Sequence, residues 1–111
     1  MNVTFNDFHC YIEFGQYGNG NTAILLKDYE DDGTVAVATT NTGTEVPENI
    51  VAVKDWSENN GMVATLAAFG VIETKPYRSE EVGFVQVEFF PLTARAFQEL
   101  EKQKKGANQN G

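Results

Sequence analysis

Cysteine, histidine and positive charge are all scarce in this chain. One Cys and one His among 111 residues leave too few ligands for a multi-residue metal site or a nucleophile–base triad. A single cysteine, Cys10, forms no intrachain disulfide and suits a reducing compartment. Apolar runs extend for only a few residues, which predicts neither a signal peptide nor a membrane helix. Eight Lys and Arg stand against sixteen Asp and Glu, a formal net charge of −8. The imbalance is uneven. Residues 1–92 carry 14 acidic and 4 basic side chains, a net of −10, whereas residues 93–111 carry 2 and 4, a net of +2. Such a body repels nucleic acid and anionic membranes and attracts basic protein surfaces. The charge therefore speaks for a cytoplasmic protein with a protein partner, no direct nucleic-acid contact and no membrane.

What is present suffices for a core. The chain is 41% hydrophobic, with 8 Phe, 4 Tyr and 1 Trp, enough for one folded domain. Alternation from His9 to Phe14 sets Cys10, Ile12 and Phe14 on one face of a strand. A Gly- and Asn-rich turn over residues 15–21 precedes a second strand from Thr22 to Tyr29, whose Ala23-Ile24-Leu25-Leu26 centre implies cover on both faces. Asp31-Asp32-Gly33 predicts a tight turn into a third strand, Thr34 to Thr40, completing an antiparallel meander. After a polar connection, Ile50 to Val53 reads as a short strand. Met62, Val63, Leu66, Ala67 and Phe69 then recur at helical spacing, with Ser57 as the expected N-cap, Gly61 in the first turn and Gly70 at the C-terminus. After a short Val71-Ile72 segment a polar loop runs through Pro76, and Phe84 to Phe90 alternates as a further strand ending at Pro91. Thr93 caps a final helix with Phe97 and Leu100 on its apolar stripe. The expectation is an α+β fold: a mainly antiparallel sheet of about five strands, one packed helix and a second C-terminal helix. One domain would span 1–105, followed by a disordered tail over 106–111.

Chemistry-bearing patterns are few. Asp28, Glu30, Asp32 and Gly33 occupy positions one, three, five and six of a calcium-loop pattern, but Thr39 stands where the bidentate Glu belongs and the flanks are strands. An acidic hairpin tip explains the segment better, and four crowded carboxylates on a turn would be relieved by a basic partner. His9 and Cys10 are adjacent in a strand and point to opposite faces, so they cannot act as a pair. Glu13 and Glu88 would need to meet across strands to act as acid and base. Glycines 15, 18 and 20 lack the third position and the helix of a dinucleotide fingerprint. Lys102, Lys104 and Lys105 complement a helix C-terminus, with Glu101 four residues before Lys105. Trp56 fits the edge of a core. These patterns imply no enzyme, no metal and no cofactor.

Several segments together resemble a family of small proteins of unknown function carried by phages, plasmids and conjugative elements of gut bacteria. They are Asn21 to Leu26, Val35 to Asn41, Val46-Pro47-Glu48-Asn49, Ser57 to Gly61, Gly70 and Gly83-Phe84-Val85, within about residues 8–92. The resemblance implies a mobile-element setting, in which small acidic proteins block host nucleases by occupying basic nucleic-acid channels, an anti-CRISPR or related anti-defence role. The expected function is binding and inhibition of a host nucleic-acid-handling enzyme such as a Cas9-type nuclease. The expected contact residues are Asp28, Glu30, Asp31 and Asp32 on the tip, with Glu80 and Glu81 on the later loop. Two alternatives remain open. One is a homo-oligomeric accessory module of the element; the other is a nucleotide-signal sponge, which would need Lys75, Arg78 and Arg95 to converge.

Overall fold

The computed structural model describes residues 1–108. A tight hairpin opens the chain: Asn6 and Asp7 both adopt left-handed φ, 48° and 68°, as a type I′ turn requires and as these residue types tolerate. Strand β1 (Asn2–Phe5) and strand β2 (Phe8–Gln16) flank it, with Phe5 opposite Phe8. Strand β3 (Thr22–Asp28) pairs with β2, and strand β4 (Thr34–Val37) with β3, in the sheet order β1-β2-β3-β4. The meander is therefore present, with β1 as an added edge.

Beyond β4 the chain changes partner. Ala38 N–H donates to Ile24 O at 2.8 Å, whereas Thr40 N–H donates to Ala52 O at 3.0 Å and Lys54 N–H to Ala38 O at 2.9 Å. Residues 38–40 thus hand the chain to a second antiparallel sheet. It consists of β5 (Ile50–Val53), β6 (Arg78–Val82) and β7 (Val85–Pro91), in the order β5-β7-β6. Among the described residues the architecture is α+β, with seven strands in two sheets rather than about five in one. The two additional strands are β1 and β6.

Helix α1 (Met62–Ala68) begins with its apolar repeat, later than the expected Ser57 cap places it. Ser57 has φ 56° and enters a single 3-10 turn (Ser57–Asn59), after which Gly61, at φ 92°, redirects the backbone. The N-terminal cap comes instead from Asp55, whose Oδ1 accepts the Val63 N–H at 3.1 Å. Gly70 closes the helix as expected: at φ 74° its N–H reaches Ala67 O, and Val71 N–H reaches Leu66 O, the paired bonds of a Schellman motif.

Thr93 caps helix α2 (Ala94–Asn108), accepting the Ala96 N–H at 3.1 Å and donating to Gly70 O at 2.6 Å. Residues 106–108, expected in a tail, continue the helix. The rest of that expected tail, 109–111, lies outside the described residues. Gln103 fastens α2 to the sheet. Its Nε2 donates to Ile12 O and its Oε1 accepts the Phe14 N–H, at 2.9 and 2.8 Å. A side-chain amide thereby satisfies the β2 edge where β1 has run out.

Two apolar layers result. Val3, Cys10, Ile12, Ile24 and Leu26 join Val51, Val53 and Phe90 beneath Met62 and Leu66 of α1 and Ala96 and Leu100 of α2. On the other face of the second sheet, Ile50, Ala52, Val87 and Phe89 are covered by Val46 and Trp56. The expected double cover over residues 23–26 is incomplete, because Leu25 on the outward face is only half-buried.

Candidate functional site

The acidic tip is a wound turn that consumes part of its own charge. Asp32 adopts φ 60°, and its N–H donates to Asp28 O at 2.8 Å while Asp28 N–H donates to Gly33 O at 2.8 Å. Asp28 Oδ1 accepts the Glu30 N–H at 2.9 Å, and Asp31 Oδ1 accepts the Gly33 N–H at 2.8 Å. Asp32 Oδ1 takes the Tyr11 hydroxyl at 2.8 Å, which pushes that phenol above its ordinary pKa of 10.0 because ionisation would cost the bond and set two negative charges together. Tyr11 stacks obliquely on Tyr29, ring centres 5.2 Å apart, and Tyr29 donates its hydroxyl to Asn2. A concavity of about 290 Å³ beside the tip is lined by Phe8, Asp28, Asp31, Gly33, Thr34 and Val35. In chemical terms, the tip offers fixed carboxylate oxygens and exposed aromatic rings to a cation.

Glu80 and Glu81 are not in a loop. Both belong to β6, the outer strand of the second sheet, where Glu80 faces Val87 and Glu81 faces Gln86. Alternation then divides them. Glu80 turns toward the connection between the sheets and accepts the Thr44 hydroxyl at 2.9 and 3.1 Å, with Thr42 at 3.5 Å and Arg78 at 3.7 Å. Glu81 is exposed. The tip and β6 do not share a site: the tip lies at one end of β4, and the threonines holding Glu80 follow its other end, after about 20 Å of extended chain. The missed strand has a simple origin. Arg-Ser-Glu-Glu-Val has low β propensity, and charge on an edge strand deters unwanted pairing.

Other candidates resolve as packing. Cys10 is buried, donates weakly to Phe8 O at 3.6 Å, and is pushed above the ordinary thiol value of 9.0 by burial and then by Asp28, which disfavours the nucleophilic thiolate. His9 is exposed beside Thr4. Glu13 pairs across strands with Leu25 and Glu88 with Ser79, on separate sheets, so the two acids do not meet. Lys104 pairs with Glu48, and Lys54 with Glu58, whose carboxyl is lowered by that hydrogen bond. Arg78 is engaged by Glu80 and lies 5.5 Å over the Phe89 ring, whereas Arg95 lines a cavity along α2 with Lys102 and Lys105. Among the described residues, no group of three or more His, Cys, Asp and Glu is placed to hold a metal, and no helix is long and apolar enough to cross a membrane.

One exposed residue escaped the sequence pattern. Phe84, expected to begin a strand, sits instead in the two-residue turn between β6 and β7, after Gly83 at φ 61°. The signal was the Gly itself, flanked by Glu-Glu-Val and Val-Gln-Val, since Gly at the first turn position marks a type II′ hairpin. Compared with known proteins, the chain matches no family model, no curated protein and no solved structure.

Proposed function

We propose that this chain is a non-enzymatic binding protein that occupies a basic surface on a nucleic-acid-handling enzyme and thereby inhibits it, a Cas9-type nuclease of a bacterial host being the leading target. The observation that carries this reading is the charge: a net of −10 on residues 1–92, carried by a folded body with a wound hairpin tip. A nuclease channel rich in Lys and Arg is built to hold phosphates. Carboxylates fixed on a rigid hairpin compete for it without the ordering cost that a flexible acidic tail incurs. In this reading Asp28, Glu30, Asp31 and Asp32 make the contact, the Oδ1 atoms of the three aspartates fixing the tip through bonds to its own backbone and to Tyr11.

The test is titration of the purified chain against purified Cas9-type and restriction nucleases across a salt series, with guide RNA or DNA as competitor. Affinity that falls as salt rises, is displaced by nucleic acid and drops at least about tenfold for Glu30→Lys with Asp31→Lys supports the reading. Affinity for a nuclease that both substitutions leave unchanged at moderate salt removes the tip from the interface. Absence of binding across the panel overturns the nuclease as target.

A further inference from the structure

The β6–β7 hairpin carries a phenylalanine that neither its turn nor the core explains. Phe84 is completely exposed, at 110% of a reference residue, in a chain that buries Phe89 fully. The turn needs a glycine, which Gly83 supplies, and its second position ordinarily takes a small polar residue. Position 84 thus owes its aromatic ring to nothing inside the molecule.

The turn that carries it also ends an apolar stripe. Phe89, Val87 and Val85 alternate along one face of β7, and Val82, opposite Val85, continues that face on β6. Exposure rises outward along the stripe: Phe89 and Val87 lie under the Val46 and Trp56 cover, Val85 is half-buried and Val82 is 40% exposed. Apolar character therefore persists beyond the point where the chain stops covering it. Arg78 and Glu80 share that face and are paired with each other, while Glu81 and Glu88 lie on the opposite face of the hairpin. Residues 78–88 carry three acids against one arginine, a net of −2, and a net of −8 over the chain opposes close approach of a second copy. An exposed aromatic anchor on an acidic hairpin fits an apolar pocket bordered by Lys and Arg.

We propose that this hairpin is the insertion element of the complex, with Phe84 seated in an apolar pocket on a basic protein partner and Val82 packing at its mouth. The inference rests on the binding reading above, and adds to it a second contact, apolar and independent of salt. The two strands are in unbroken register from Arg78–Phe89 to Val82–Val85, so the tip is presented by a paired hairpin and little conformational freedom is lost on docking.

Phe84→Ala and Phe84→Leu are titrated against the same purified Cas9-type and restriction nucleases, with Phe69→Ala as an exposed control on another element. In parallel, p-benzoylphenylalanine is placed at position 84 or at position 30, and the adducts are mapped. The proposal expects a loss of roughly 30-fold for Phe84→Ala, substantial recovery with Phe84→Leu, and no change for Phe69→Ala. It also expects an adduct from position 84 on a segment flanked by Lys or Arg. A nuclease that binds normally to Phe84→Ala and is labelled only from position 30 overturns the insertion element and leaves the acidic-inhibitor reading standing. Labelling of a second copy from position 84 overturns it in favour of self-association. Wild-type chain that binds none of the nucleases overturns both.

Discussion

The two hairpin tips answer opposite physical needs. The β3–β4 tip is rich in charge and spends part of it inward, with Asp28 and Asp31 bonded to their own turn and Asp32 to Tyr11. The β6–β7 tip has a minimal turn, no charge at its apex and an aromatic ring in solvent. The contrast teaches that a carboxylate in a sequence is not by itself a binding group. Glu80 and Glu81 are neighbours in the chain, yet one is a bracket between the sheets and the other is free to meet a partner, because alternate strand residues face opposite ways.

The sharpest way to break the comparison is to remove a ring from each end of the β6–β7 hairpin. Phe89→Ala should cost about 3–5 kcal/mol in urea unfolding, through lost burial and the cavity left behind. Phe84→Ala should change stability by no more than about 0.5 kcal/mol. Comparable losses at the two positions would mean that the exposed tip is packed in solution. A smaller contrast separates the adjacent acids. Glu80→Ala should cost about 1–2 kcal/mol, since the Thr44 hydroxyl loses a charged acceptor, while Glu81→Ala should stay within about 0.5 kcal/mol. Equal effects would undo the division of roles along β6.

The smallest effect is a pH dependence confined to the acidic tip. The folded pKa of Tyr11 is raised by its bond to Asp32, so the associated stability is present below pH 10.0 and is lost as pH rises through the folded value. Phenolate absorbance should show one tyrosine ionising later than an unperturbed phenol, and Tyr11→Phe should remove that late step along with its share of the alkaline loss. A wild-type titration in which every tyrosine ionises at the ordinary value would show that the Tyr11–Asp32 bond does not hold the tip in solution.

Much of the fold was legible because the responsible signals are local. Alternation marked β2 and β7, apolar or Val- and Thr-rich runs marked β3, β4 and β5, Gly70 marked the end of α1, and Thr93 marked the start of α2. The misses lie close to their partners in the chain, but each is too short or too polar for periodicity to mark it. β1 is short, with a turn that Asn6 and Asp7 make without glycine, and β6 is a charged segment that becomes a strand only because β7 offers it an edge. The start of α1 was misplaced because Asp55, outside the apolar repeat, supplies its cap. At the candidate site, the acidic tip was readable as a turn, whereas the loop assignment of Glu80 and Glu81 was not correct, and Phe84 was assigned to a strand.

By itself, the amino-acid sequence determined the α+β class, the strand and helix periods, the burial of Cys10 and the acidic charge, since these follow from composition and near-neighbour spacing. Tertiary structure alone decided that residues 38–40 pass from one sheet to the other, that Gln103 completes the edge of β2, that Glu80 is consumed while Glu81 is exposed, and that Phe84 stands in solvent. The reason is that a hydrogen bond or a burial is shared between two segments, and no local pattern in either one names the other.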